Sequence, residues 1–165
     1  MSAQIKLSNM NNYPGGIRGR VNPATGAGYI AWLYPATGAI RLFKNTTWSI
    51  DAGTTLLGSS VIGEDTTNFH TLALSFAGTQ IQVLYDGRVV ITATDTTNTS
   101  GLIALDVYNQ PVTFDNILAT SNTPNGGSYT TSTNSLSYSA TSCKGHCLRR
   151  WIRTQICGRV TQRIR

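Results

Sequence analysis

Between Phe69 and Ile117 the apolar residues recur at every second position, through FHTLALSF, IQVLYDGRVVITATD and LIALDVYNQPVTFDNI. That is the period of strands with one buried face. Asp86-Gly87 falls between IQVLY and RVVIT, the dipeptide that gives a two-residue hairpin its pair of positive φ angles. Upstream, Pro-Ala-Thr-Gly occurs twice, at 23–26 and 35–38. Proline presets φ at the second turn position and glycine accepts the left-handed one that closes it. Two successive hairpins should therefore join strands at about 17–22, 28–34 and 39–44. Further strands are predicted at about 2–7, near each end of 47–60, and at about 69–76, 79–85, 88–95, 101–108 and 111–119. No helix is predicted before the final basic segment. Roughly ten short strands with turns at this spacing make the chain all-β, an antiparallel β-sandwich, jelly roll or barrel.

Alternation also predicts a core: Ile17, Val21, Leu42, Leu72, Leu74, Phe76, Ile81, Val83, Tyr85, Val89, Ile91, Ile103, Leu105, Val107, Phe114 and Ile117. GYIAWLY departs from the pattern, because both of its faces are largely apolar. Ile30, Trp32 and Tyr34 share one face and Tyr29, Ala31 and Leu33 the other, so one of Trp32 and Tyr29 should be core.

The formal charge of +6 belongs to one end of the chain. Residues 1–142 carry six basic and seven acidic groups, a net −1, whereas residues 143–165 carry seven basic groups and no acid. All three cysteines, Cys143, Cys147 and Cys157, lie in that segment too. With His146 they would supply the four ligands of a zinc site, although nothing around them reads as a zinc-stabilised fold. The abrupt change after SYSATS has the character of a shifted reading frame. A genuine basic tail, able to meet nucleic acid or an anionic surface through charge, is the other reading. Residues 121–135 form a Thr/Ser/Asn/Gly linker, and LSYSAT (136–141) alternates like the start of a following β-module. The expected organisation is a sandwich over 1–120, the linker over 121–135, and a module start plus unstructured tail over 136–165.

No stretch approaches the ~20 apolar residues of a membrane span, and MSAQIKLSNMNN lacks the apolar region of a signal peptide.

Catalysis finds little support in the residues. Glycoside hydrolysis needs two carboxylates about 5–9.5 Å apart, yet Glu64 is the body's one glutamate and the aspartates are scattered. No serine or cysteine sits in a nucleophile setting. Asp86 is explained by its turn, Asp95 by the loop it opens, and His70 by hydrogen bonding at the core or rim. Sugar recognition needs aromatic faces beside groups that read hydroxyls. Arg18 and Arg20 share the face opposite Ile17 and Val21, and Asp106 and Tyr108 lie opposite Ile103, Leu105 and Val107. The candidate ligand face is therefore Arg18, Arg20, Arg41, Asp106 and Tyr108, with Trp32 or Trp48 beside it. An ordinary solvated sheet face with Arg–Asp pairs is the competing reading.

The run FHTLALSFAGTQIQVLYDGRVVITATD followed by SGLIALDVYNQPVTFDNI resembles the concanavalin A-like jelly-roll domains of the laminin-G and lectin type, found in extracellular bacterial proteins. Its features are an aromatic-His strand opening, a Gly turn, a DG hairpin, an Asp closing the next strand and a final FDN strand. The order matches over about residues 16–119. The resemblance implies a noncatalytic lectin-like module that binds a carbohydrate or polysaccharide for a larger secreted or surface protein. It also implies that strands preceding residue 2 are missing. An acid on the last strand of such domains often helps hold a structural calcium, which makes Asp115 the candidate ligand for Ca2+. The alternative role is a structural spacer or adhesion module contacting neighbouring domains, with nucleic-acid binding through the tail a distant third.

Overall fold

The computed structural model describes residues 1–8, 12–49, 52–63 and 65–120. Its strands are β1 (Ser2–Leu7), β2 (Gly15–Val21), β3 (Gly26–Tyr34), β4 (Ala39–Thr47), β5 (Thr54–Val61), β6 (His70–Ala77), β7 (Gln80–Tyr85), β8 (Arg88–Thr94), β9 (Leu102–Val107) and β10 (Val112–Leu118). They form two five-stranded sheets, one in the order β10-β1-β6-β7-β8 and the other β5-β4-β3-β2-β9. Every pairing of neighbours is antiparallel. The protein is an all-β antiparallel sandwich. We call the sheets the β6 sheet and the β3 sheet.

The turns form as their residues dictate. Asp86 and Gly87 take φ of 46° and 79°, the two left-handed positions of a type I′ hairpin. Both Pro-Ala-Thr-Gly segments end on glycines at positive φ, Gly26 and Gly38, and each joins consecutive strands of the β3 sheet. Among the described residues of 47–60 one strand forms anew, β5, because β4 runs on to Thr47.

The core fills the space between the sheets with Ala3, Ile5 and Leu7 of β1, Tyr29, Ala31 and Leu33 of β3, Ile40 and Leu42 of β4, and Val112 and Phe114 of β10, alongside Leu72, Leu74, Ile81, Val83 and Tyr85. Each large side chain so buried contributes about 1.5–3 kcal/mol relative to exposure. Two expected core members are instead on the surface, Val89 (50% exposed) and Ile103 (41%). A bulge explains the first. The β7–β8 register shifts between Val83 and Leu84, so Val83 faces Ile91 and Leu84 faces Val89, and the extra residue turns Val89 outward. Ile103 lies on the edge strand β9, beside a second shift that falls between Arg18 and Val21 on β2.

Candidate ligand-binding face

The outer face of the β3 sheet is unlike an ordinary solvated face. β3 is almost wholly buried, with burial on both sides from Tyr29 to Leu33, so something must cover its outward residues Ile30 and Trp32. Register places Asp106 (β9), Gly16 (β2), Trp32 (β3) and Arg41 (β4) in one row across the sheet. Trp32 reaches over β2 to Asp106, its Nε1–H donating to Asp106 Oδ2 at 2.9 Å. Gly16 makes this reach possible. A Cβ there would collide with the Ala31 carbonyl and press on the indole of Trp32.

The same oxygen accepts Arg18 Nε–H at 2.8 Å. Arg18 is 0% exposed and Asp106 3%, so this is a buried ion pair. Asp106 neutralises Arg18, but Nη1 and Nη2 of the guanidinium are buried with no hydrogen-bond partner. Buried donors left this way cost roughly 1–3 kcal/mol. The indole of Trp48 lies over the guanidinium, 5.5 Å from ring centroid to Cζ, a cation–π arrangement.

Trp32, only 5% exposed, is a floor rather than a surface. Tyr34 packs edge-on to it at 6.3 Å, and Phe43 lies tilted against it at 5.3 Å; both are half-buried and form the accessible aromatic surface. Arg41 is exposed and lies over the Tyr34 ring at 4.7 Å. Burial pushes the Tyr34 hydroxyl above its ordinary value, with Arg41 opposing and the charge of Asp106 adding to the rise.

The structure thus brings together Arg18, Trp32, Arg41, Trp48 and Asp106 from the expected set. It separates Arg20. At φ 52° in the β2 bulge, Arg20 leaves the parity of Arg18, stacks on Phe76 at 4.5 Å and donates to the carbonyls of Asn98 and Gly78. Tyr108 lies beyond the end of β9, its ring edge-on to Tyr13 at 5.4 Å. Both Tyr29 and Trp32 prove buried, on opposite faces, where one was expected. Sequence reasoning passed over Tyr34 and Phe43, although their parity with Trp32 and Arg41 was a usable signal.

Asp115 stands apart, on β10 opposite Gln4. Its Oδ1 accepts the Asn116 N–H at 2.7 Å. Among the described residues no three His, Cys, Asp or Glu side chains gather to hold a metal ion. Asp51, Glu64, Cys143, His146, Cys147 and Cys157 lie outside the described residues. His70 caps an end of the core, stacked on Tyr85 at 5.0 Å, with Nδ1 2.7 Å from Asp86 Oδ2 and Nε2 2.8 Å from the Asp65 carbonyl. An open groove of about 320 Å³ between β5 and β8 is lined by Ser60, Val61, Ile62, Arg88, Val89 and Val90. No helix among the described residues is long and apolar enough to cross a membrane.

No protein-family model matches the chain, and no curated protein matches it. Among solved structures, the carbohydrate-binding module CBM66 from Bacillus subtilis is similar, with a TM-score of 0.60 and 19% identity over 68% of each chain. The likeness is one of fold. It sets this sandwich beside that of a carbohydrate-binding module.

Proposed function

We propose that this protein is a noncatalytic, lectin-like carbohydrate-binding module, with the outer face of the β3 sheet as its platform. One observation carries the reading: a buried Arg18–Asp106–Trp32 cluster supports a surface of Tyr34, Phe43 and Arg41. Sugars stack their apolar ring faces on aromatics and give their hydroxyls to charged and amide groups, and this face offers both. The similar fold of a carbohydrate-binding module supports the same reading, as does the concanavalin A-like sequence pattern. The composition suits a module of residues 1–120 within a larger secreted or surface protein, followed by a linker.

The test is a thermal melt of the full chain against a panel of oligosaccharides and polysaccharides. A ligand at about 100 times its dissociation constant stabilises the native state by roughly 2.7 kcal/mol, a visible shift. Tyr34→Ala should abolish that shift while changing the unliganded midpoint little. The second reading, a spacer or adhesion module, draws on the exposed Val61 and Val89 of the neighbouring strands β5 and β8. A clean transition that no glycan moves would select it.

A further inference from the structure

The platform has more donors than acceptors. Among strands β2–β5 and β9 the one acid is Asp106, and its Oδ2 already serves both Arg18 Nε and Trp32 Nε1. Against that single carboxylate stand two guanidinium groups, Arg18 and Arg41, on either side of Trp32. Nη1 and Nη2 of Arg18 hold N–H groups that find no acceptor, and Arg41 is exposed, engaged with the Tyr34 ring. A neutral sugar hydroxyl is poorly suited to such a site, since each one brings a donor that also needs an acceptor. A planar carboxylate brings acceptors alone and matches the guanidinium fork with two parallel hydrogen bonds.

We infer that this face selects glycans bearing carboxylates, the uronic acids, over neutral sugars. The inference rests on the carbohydrate-binding reading and narrows its ligand class. Arg41 is the first contact, open to solvent beside the aromatic surface where the sugar ring lies. Arg18 is the second, reached when the ligand displaces the Trp48 indole from above its guanidinium. A run of uronate residues can present successive carboxylates to the two.

The probes are oligomers of galacturonate, glucuronate and mannuronate, each paired with its carboxyl-reduced counterpart, plus sulfated dextran. Because residues 143–165 carry seven basic groups that attract any polyanion, the site's share is read as the difference between the native chain and Arg41→Gln. Calorimetry on the full chain should show at least one uronate oligomer bound about tenfold more tightly than its reduced counterpart. Arg41→Gln should remove most of that preference, weakening the uronate far more than its reduced counterpart. Arg18→Lys, which keeps the charge and loses the fork, should weaken it too. Equal binding of acid and reduced sugar overturns the inference and leaves the carbohydrate reading standing. A uronate preference that survives in both Arg41→Gln and Arg18→Lys overturns it, the tail then being its source. Sulfated dextran that gains as much from Arg41 as the uronates do overturns the choice of a carboxylate. Failure of every oligosaccharide to bind removes both readings.

Discussion

The two outer faces of this sandwich are built on the same alternation and differ in what fills it. On the β6 sheet the outward residues include Gln4, Thr71, Ser75, Gln82 and Thr92, short polar groups at intermediate to full exposure. They lie on the strands whose other sides carry Leu72, Leu74, Ile81 and Val83 into the core. On the β3 sheet the outward positions hold Arg18, Ile30, Trp32, Arg41, Phe43 and Asp106. Folding requires a core on one side of each sheet, and the β6 sheet shows that an exterior with no buried ion pair among the described residues satisfies that requirement. An ion pair buried on the exterior of the β3 sheet is an added expense, since desolvating two charges costs several kcal/mol per ion before attraction repays it. A face that keeps such a pair while its partner sheet does without is the one where a ligand is to be sought.

The sharpest way to break this comparison is Asp106→Ala. Removing one member of a buried pair leaves Arg18 charged and alone, and should cost about 3–5 kcal/mol in denaturant unfolding. Pairing it with Arg18→Met should restore part of that loss. A loss under about 1 kcal/mol would mean that the cluster is wetter than its burial indicates.

An intermediate effect belongs to the ends of the sandwich. Partial burial raises the Asp95 carboxyl, but hydrogen bonds from Lys44, Thr97 and Tyr29 outweigh it and hold the group well below its ordinary value of 3.8. Asp86 is lowered too, where bonds from His70 and the Thr71 N–H overcome its burial. A carboxyl depressed in the folded state stabilises above its unfolded value, and that stability drains away as pH falls below it. The melting midpoint should therefore drop as pH falls below about 4, and Asp95→Asn should flatten that acid limb. An unchanged limb in the variant would detach Asp95 from the acid response. The smallest effect is reserved for the plain face: Ser75→Ala and Gln82→Ala should each stay within about 0.5 kcal/mol of the native chain, and neither should alter glycan binding.

Much of this architecture was legible in the chain. Period-2 alternation, Asp86-Gly87 and the paired Pro-Ala-Thr-Gly turns located the strands within a few residues, because each rests on local backbone preference. What escaped was set by register. The β2 bulge rotates Arg20 away from Arg18, and the β7–β8 bulge turns Val89 outward, while the residues on either side keep a regular pattern. The platform was half legible. GYIAWLY announced a strand buried on both sides, but which of its aromatics stayed accessible depended on Gly16 letting Trp32 lie down across β2. No local pattern states that a glycine on one strand sits beneath an indole from the next.

The strand order has a consequence for the making of the molecule. β1 is held between β10 and β6, with Ile5 facing Phe114 on one side and His70 on the other. As the chain emerges during synthesis, β1 must wait for β6 before it has any partner, and for β10 before its second edge is covered. Closing such distant pairings is slow. Throughout that interval Ile5 and Leu7 stand on an open strand able to pair with another molecule. The stage of greatest aggregation risk is therefore the sandwich that still lacks β10, and the strand that ends it is the last one described.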